Sequence, residues 1–372
     1  MDRPDLAPRD APTEDSPTHP EAPAKARALA GRVADFVDDP ASEPFDDLVR
    51  DVFAFQYARI EPFRRLCQSR GVAPSSLGSW RDVPPVPVAA FKAMALHAAP
   101  AKEVFRSSGT TQGQRRSEHH HPFPDLYRRT ISALFRRRCL LPGEGRVPIL
   151  RLVAPRAEVA DSSLGFMAEH LAAHFGTAPS AAAMGANGPD FSAAERWARR
   201  LEGPGFIVTT AFALAWWLDD LEARGLRLSL PADTRVFETG GFKGRSRELS
   251  RGELVARVHG RLGVPAHRVI REYGMSELTG HFYPATLEGG DPDLFRVPHF
   301  MRVRTVDPVT LDDVADGEAG LLRILDLSNA GSAMAVLSED LGLREGGGFR
   351  LLGRAAGAEL RGCSLTVDEL RP

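Results

Sequence analysis

Apolar strand-like segments alternate with helical patterns through the middle of the chain, and this alternation constrains the fold more than any other feature. The segments are rich in Val, Ile, Leu and Phe and lie at 147–153, 206–208, 236–237 and 269–270. Helical patterns follow three of them, with Ser163 as the N-cap of the first and later starts at Phe212 and near Ser246. Strands that alternate with helices form a parallel sheet covered on both faces. We therefore predict doubly wound α/β layers.

Polar clusters follow the strands directly. Thr209-Thr210, the segment 238–244 and the segment 272–277 each come where a strand ends, and 107–113 follows a short apolar strand at Val104-Phe105. Open α/β sheets bind ligands at the carboxyl ends of their strands. We expect these four clusters to converge on one crevice.

The segment 107–116 reads SSGTTQGQRR and has the composition of a phosphate-binding loop. Glycines let backbone N–H groups approach an anion, and hydroxyls add further donors. Arg115 and Arg116 add charged donors for phosphate oxygens. The loop lacks the Gly-Lys-Ser/Thr of a Walker A loop, and the alternative is a flexible polar surface loop.

Composition changes divide the chain into a tail and a core. Residues 1–25 are rich in Pro, Asp, Glu and Ala without apolar periodicity, which predicts a disordered tail. The core, 26–372, comprises α/β layers over 26–296 and a small β-rich subdomain over 297–372, where short strands alternate with glycine turns. Within the first part, Phe45–Phe63 has helical spacing, and prolines keep 82–88 extended.

Charge and cysteine content exclude several classes of protein. The net charge of −2 gives no overall attraction for nucleic acid or an anionic membrane. Cys67, Cys139 and Cys363 are too far apart to suggest a zinc site or a disulfide framework. Because the N-terminus lacks a signal-like apolar segment and no apolar run has the length of a membrane span, we expect a cytoplasmic protein with reduced thiols.

Two clusters of ring side chains invite a functional interpretation. His119-His120-His121 could suggest a metal site, but adjacent residues point in different directions, which favours a pocket-lining or surface role. Trp216 and Trp217 are expected in the core or in a pocket wall.

Seven motifs follow one another along the chain: FAFQYARI (53–60), PVPVAAFK (85–92), FRSSGTTQG (105–113), ETGGFKG (238–244), EYGMSEL (272–278), LSEDLG (337–342) and LLGRAAGAELRGCSL (351–365). With these motifs the chain resembles the acyl-adenylate-forming superfamily of acyl-CoA synthetases, firefly luciferase and adenylation domains. More closely, it resembles the acyl-protein synthetase family of bacterial luminescence operons, the long-chain-fatty-acid–luciferin-component ligases. The resemblance covers about Phe45 to the C-terminus.

This resemblance implies a two-step reaction with ATP and Mg²⁺. A carboxylic acid, by the family a fatty acid, forms acyl-AMP with release of pyrophosphate, and a protein thiol then takes the acyl group. An acyl reductase is the partner that the family implies. The expected fold is the large N-terminal domain of the superfamily, without the mobile C-terminal domain and its adenylation lysine, which the closer family also lacks.

The resemblance also assigns residues. The nucleotide site would contain Ser107, Ser108, Gly109, Thr110, Thr111, Gly113, Arg115, Gly240, Gly241, Tyr273, Gly274, Ser276, Asp340 and Arg354. Thr110 and Thr111 would contact the β- and γ-phosphates, Tyr273 the adenine, and Ser276 the α-phosphate. Asp340 would accept the ribose hydroxyls with Arg354 nearby, and Glu277 would hold Mg²⁺. The alternatives are a core role for Tyr273, a surface acid at Glu277 and a turn residue at Asp340.

The acyl side of the site involves fewer residues. His120, Phe212 and Met275 would line the acyl pocket, and Cys363 would accept the acyl group; its alternative is a small buried residue. Lys243 is our candidate for the missing lysine. Gln112 shifts the register of the loop relative to the superfamily pattern, which leaves Arg115 and Arg116 as alternatives for its cation. The hinge motif at 353–357 lacks its usual acid.

Two other functions stay open. An adenylating enzyme could deliver the acyl group to coenzyme A, a carrier protein or an amine, and then the product would not depend on Cys363. A non-catalytic acyl- or nucleotide-binding subunit would release no pyrophosphate.

Overall fold

The computed structural model describes residues 22–107, 115–185, 187–240, 249–355, 366–367 and 369–370. The helices are α1 (Ala22–Asp38), α2 (Phe45–Arg59), α3 (Glu61–Ser69), α4 (Pro124–Arg138), α5 (Ser163–Phe175), α6 (Phe191–Arg199), α7 (Ala211–Ala223) and α8 (Arg251–Leu262). The first strands are β1 (Val86–Pro87), β2 (Glu103–Arg106), β3 (Glu118–His121), β4 (Val147–Leu152), β5 (Gly176–Ala182), β6 (Met184–Gly185), β7 (Gly188–Pro189) and β8 (Phe206–Thr210). The later strands are β9 (Arg235–Thr239), β10 (Val269–Glu272), β11 (Tyr283–Pro284), β12 (Phe295–Arg296), β13 (Met301–Val306), β14 (Ala319–Asp326), β15 (Ala335–Glu345) and β16 (Gly348–Arg354).

A parallel sheet in the order β10-β9-β8-β4-β5 forms the centre of the fold. Alternate residues of its strands face opposite sides. Phe206, Val208 and Phe237 pack in one core with α4 and α5, whereas Ile207 and Val236 pack in a second core with α6, α7 and α8. The predicted doubly wound α/β arrangement is therefore confirmed.

The second sheet is antiparallel and curls beside the first. Its order is β11-β12-β16-β15-β14-β13, and β1 runs parallel to the beginning of β15. Glycine turns predicted at 316–318 and 346–348 connect its hairpins, with Gly346 at φ +52° and Gly347 at φ +75°. The β-rich subdomain is thus present, and its sheet also takes strands from 86–87, 283–284 and 295–296.

Some helix starts differ from the prediction. Ser162, rather than Ser163, caps α5 by accepting from the Gly165 N–H. Helix α8 begins at Arg251, later than predicted, where Ser250 and Glu253 form a reciprocal capping box. Helix α1 begins at Ala22, four residues before the boundary that composition indicated. Trp217 is buried as expected, but Trp216 is 47% exposed.

None of the helices in the described ranges combines the length and the apolar character that crossing a bilayer requires.

Candidate active site

The hairpin β2–β3 carries the predicted phosphate loop. At its neck, the Ser107 N–H donates to the Ser117 carbonyl oxygen (3.1 Å), and the Ser117 N–H donates to the Ser107 hydroxyl (3.1 Å). Among the described residues the two strands pair only with each other, so this cluster does not follow a strand of the parallel sheet, contrary to our expectation. Ser108, Gly109, Thr110, Thr111 and Gly113 lie outside the described residues.

The two arginines after the loop differ in their partners. Arg116 donates to the main-chain carbonyl of Ser107 and forms an ion pair with Asp161 (Nη1–Oδ2 3.0 Å). Arg115 is exposed and has no ion-pair partner within the described ranges. Arg115 is therefore the arginine whose charge is available to an anionic ligand.

Glu277 lies beside the hairpin neck. Its main-chain carbonyl accepts a hydrogen bond from Asn329 Nδ2 (3.0 Å), and the Ser117 hydroxyl lies near its carboxylate and partly stabilises the charged form. The residue is buried, and burial raises the pKa of its carboxyl above the ordinary value. A buried carboxylate with so little compensation is stabilised by a nearby cation, so Glu277 suits a hard metal ion.

The histidines of β3 alternate between two faces. His119 and His121 point into the core, where His119 Nδ1 lies 2.8 Å from the Ser276 carbonyl oxygen and His121 Nε2 lies 2.9 Å from the Thr279 hydroxyl. His120 points the other way, towards Glu118 (3.3 Å) and the His97 ring. No group of three His, Cys, Asp or Glu residues within the described ranges is arranged to hold a metal. The buried pair instead joins the hairpin to the loop after β10.

Tyr273, Asp340 and Arg354 form a chain of contacts across the two sheets. The Tyr273 hydroxyl donates to Asp340 Oδ2 (2.9 Å), and Arg354 Nε lies 3.6 Å from Asp340 Oδ1. Asp340 and Arg354 are direct partners in the β15–β16 ladder. The Tyr273 ring is 7% exposed among three phenylalanine rings (Phe282, Phe295 and Phe349), so most of it belongs to the core and its hydroxyl reaches the site.

Two buried carboxylates lie at the carboxyl ends of the neighbouring strands β9 and β10. Glu272 accepts a hydrogen bond from the Thr239 hydroxyl, and burial raises its pKa to about 7. Burial also raises the pKa of Glu238 to about 8, although Arg271 and Arg251 oppose the shift. A Cβ atom at Gly274 would overlap the Glu272 carboxylate and lie 2.8 Å from the His281 ring, so a side chain there would displace these buried groups. Gly240 follows β9 at φ +78°, a left-handed conformation that favours glycine.

Two predicted acyl-pocket residues, Phe212 and Met275, each follow a strand of the parallel sheet, β8 and β10. Phe212 is in the first turn of α7, half-buried, with its ring 6.0 Å from the exposed Trp216 ring. Met275 is half-buried and packs against the core that contains α4 and α5. Gly241, Lys243 and Cys363 lie outside the described residues, so their assignments stay predictions.

A buried polar layer beneath the site was not predicted. Asp326 accepts from the main-chain N–H groups of Thr279 (3.0 Å) and Gly280 (2.7 Å), and Asn329 holds the Glu277 carbonyl. Gln56, within the FAFQYARI motif, donates to the carbonyl oxygens of Asn329 and Ala330 (both 3.1 Å). A polar Gln56 on the otherwise apolar face of α2 was the signal that could have revealed this layer.

Comparison with known structures identifies the fold. In an open conformation complexed with 2-HIB-AMP and CoA, 2-hydroxyisobutyryl-CoA ligase superposes with a TM-score of 0.63 at 14% identity, over 90% of this chain and 70% of that chain. The complex of the same ligase in the thioesterification state gives a TM-score of 0.61 at 15% identity, over 94% of this chain and 73% of that chain. The fold is therefore that of the N-terminal domain of the acyl-adenylate-forming ligases.

A family comparison is more specific. Residues 204–370 match the model of the family described as acyl-protein synthetase, LuxE. This match confirms the resemblance to that family over the C-terminal part of the chain, whereas the FAFQYARI, PVPVAAFK and FRSSGTTQG motifs lie before the matched region. No curated protein matches the sequence.

Proposed function

We propose that this protein is an ATP-dependent ligase that converts a carboxylic acid, with a fatty acid as the first candidate, to acyl-AMP and passes the acyl group to a protein thiol. One observation carries the proposal: side chains of three distant motifs and of the hairpin neck lie together. The Ser117 hydroxyl lies near the Glu277 carboxylate, the Tyr273 hydroxyl of the same motif as Glu277 donates to Asp340, and Asp340 faces Arg354. This convergence supports one nucleotide site.

In the first step, a carboxylate oxygen of the acid attacks the α-phosphorus of ATP. The bond between that phosphorus and the bridging oxygen breaks, and pyrophosphate leaves with the electron pair. Such a reaction depends on positioning and charge stabilisation. Asp340 and Arg354 would orient the ribose, the loop 107–113 with Arg115 would hold the β- and γ-phosphates, and Ser276 would contact the α-phosphate.

Glu277 is the residue that would hold Mg²⁺, because its buried carboxylate lies beside the hairpin neck with a hydroxyl as its side-chain partner. When bound, Mg²⁺ would neutralise charge on the phosphate oxygens and on the leaving pyrophosphate. Ser117 fixes the orientation of the carboxylate, and Asn329 fixes the main chain behind it.

In the second step, the thiolate of Cys363 would attack the acyl carbon, and AMP would leave with the electrons of the broken acyl–phosphate bond. The thiol proton would go to solvent. Arg361, two residues before Cys363 in the sequence, would favour the thiolate. An acyl reductase would then take the acyl group from the thioester.

Coenzyme A is the second candidate for the acceptor, because the structural neighbour described above was captured with CoA. Under this alternative the adenylation residues keep their roles, and Cys363 has none.

The experiment measures acid-dependent pyrophosphate release and the intact protein mass, with ATP, Mg²⁺ and carboxylic acids of graded length. We expect pyrophosphate release by the wild type together with an acyl adduct, and loss of the adduct in Cys363→Ala. Cys67→Ala is the matched control, because Cys67 is buried and burial raises the pKa of its thiol to about 12. Pyrophosphate without an adduct would favour coenzyme A, and no pyrophosphate with any acid would contradict the proposal.

A further inference from the structure

A cavity of about 260 Å³ lies beside the β15–β16 turn of the antiparallel sheet. Its wall combines the short turn Trp80-Arg81, the segment 297–304 and the β15–β16 turn with Gly347 and Gly348. Four arginines line it: Arg81, Arg302, Arg304 and Arg344. No carboxylate is among the described residues of this wall.

The acidic partners of these arginines lie outside the wall. Arg304 pairs with Asp313 (2.6 Å) and Arg344 with Asp316 (3.1 Å), and neither aspartate lines the cavity. Each guanidinium has five N–H donors, so one carboxylate contact leaves donors for a ligand.

The charges of Arg81 and Arg302 have less compensation from acidic groups than those of Arg304 and Arg344. Within the described ranges, neither has a carboxylate within ion-pair distance. Arg302 donates through Nη1 to the carbonyl oxygens of His299 and Met301 (both 2.8 Å), and its guanidinium lies 3.6 Å from the centre of the Phe45 ring. These contacts fix the position of the guanidinium, and the Asp46 carboxylate acts on its charge only from beyond ion-pair distance. Arg81 lies over the Trp80 ring at 5.0 Å, a contact that leaves its charge uncompensated.

We propose that this cavity binds the phosphate group of a small phosphorylated molecule. Fork-shaped guanidinium groups match phosphate oxygens, and a doubly charged anion compensates several arginines better than a single carboxylate does. The cavity is smaller than typical pockets for drug-sized ligands, which favours a compact molecule over a nucleotide with an acyl chain. Trp80 provides an aromatic surface for the remainder of the ligand.

The cavity is distinct from the candidate active site but shares a hairpin with it. Strand β15 carries Asp340 at one point and Arg344 four residues further along, which is about 13 Å on an extended strand. The inference does not depend on the proposed ligase activity, because the cavity and its charges are formed without the residues of that site.

The test is titration of inorganic phosphate by calorimetry at low chloride, with the double variant Arg81→Gln/Arg344→Gln. The matched control Arg50→Gln/Arg128→Gln removes the same charge from exposed arginines on α2 and α4. We expect saturable binding to the wild type, affinity at least tenfold weaker in the first variant, and a change below twofold in the control. If the double variant fails to fold, Arg81→Gln alone replaces it, because Arg81 is exposed.

Arg115→Gln separates this cavity from phosphate bound at the candidate active site. The affinity of the cavity for phosphate should be the same in Arg115→Gln as in the wild type. Loss of all phosphate binding in Arg115→Gln, unchanged binding in the cavity variant, or no saturable binding to the wild type would each overturn the proposal.

Discussion

The polar groups beneath the candidate site and those at its rim form different kinds of contact. Beneath the site, Asp326 and Asn329 are fully buried, and their hydrogen bonds to main-chain groups are 2.7–3.0 Å long. At the rim, Arg354 is 58% exposed and lies 3.5 Å from Glu339 and 3.6 Å from Asp340.

The difference shows how the site divides its tasks. Buried groups that have found close partners hold one geometry, because breaking any of these bonds leaves a donor or acceptor without water. Long contacts at an exposed rim contribute little to stability, so a ligand can replace them at low cost. Glu277 combines features of both groups. It is buried like Asp326 and Asn329, but its neighbours offset only part of the cost of burying its charge.

The sharpest test of this division is Glu277→Gln. We expect the rate of acid-dependent pyrophosphate release to fall about 100- to 1000-fold, because a neutral amide is a poor ligand for Mg²⁺ and leaves phosphate charge uncompensated. The free energy of unfolding should stay the same or rise, since the buried charge is removed. Glu339→Gln is the neighbouring control, and equal loss in both variants would contradict a special role for Glu277.

Asp326→Ala tests the lower layer. The substitution leaves the N–H groups of Thr279, Gly280 and Ser328 without their acceptor. At roughly 1–3 kcal/mol for each unsatisfied group, we expect a loss of about 3 kcal/mol or more in the free energy of unfolding. Urea denaturation measures it, with exposed Asp316→Ala as the control at about 0.5 kcal/mol or less. A loss below 1 kcal/mol would show that the layer is not the rigid support that we infer.

Stability should be greatest between pH 4.5 and 6.5, where the effects of the buried histidines and the buried glutamates oppose each other, and it should fall on both sides of this range. Burial lowers the pKa of His119 and of His281 to about 4 from 6.5, so the unfolded chain takes up these protons first and the contribution of the histidines to stability falls as the pH drops below 6.5. Burial raises the pKa of Glu272 to about 7 and of Glu238 to about 8 from 4.5. Their contribution to the free energy of unfolding is therefore complete below pH 4.5 and is lost as the pH rises from there through 7 and 8.

Denaturation curves at several pH values measure both limbs. For each proton by which the unfolded and folded states differ, the free energy of unfolding changes by about 1.4 kcal/mol per pH unit. Glu272→Gln should flatten the decline towards alkaline pH, to which Glu272 contributes above pH 4.5, and leave the slope below pH 4.5 unchanged. An alkaline limb of unaltered slope in that variant would show that Glu272 is not its source.

At the rim, Asp340→Asn should raise the KM for ATP about tenfold and leave folding stability nearly unchanged. The expected cause is a weaker bond to the ribose hydroxyls, since a charge-assisted hydrogen bond contributes about 1.5–3 kcal/mol. Steady-state pyrophosphate release measures it, with exposed Asp312→Asn as the control. A large loss of stability without a change in KM would place Asp340 in the structural layer instead.

A small loss of stability is expected at the C-terminal contact. Arg70 pairs with Glu369 (2.7 Å) and also contacts Thr366 (3.3 Å), three residues after Cys363. Arg70→Glu should cost about 1 kcal/mol or less and slow the acylation of Cys363, with pyrophosphate release unchanged. The double variant Arg70→Glu/Glu369→Arg should restore acylation. Equal acylation in the wild type and Arg70→Glu would show that this contact does not position the segment.

Local sequence signals predicted the parallel sheet well. Phe206, Val208 and Val236 lie in apolar runs because both faces of this sheet are covered, and such runs are visible without any tertiary contact. The position of the α5 cap was predicted one residue too late. Ser162 and Ser163 are chemically equivalent, and only the path of the chain selects Ser162.

The candidate site was predicted as a set of motifs, but its assembly depends on tertiary structure. Glycine, tyrosine and carboxylate residues in the motifs of 272–278 and 337–342 are readable in the sequence because their chemistry is local. The contacts between Ser117 and Glu277 and between Tyr273 and Asp340 are not, since they join residues separated by 160 and 67 positions. Burial, which sets the proton affinity of Glu272 and Glu277, and the grouping of four arginines around one cavity also arise only when separate strands are packed together.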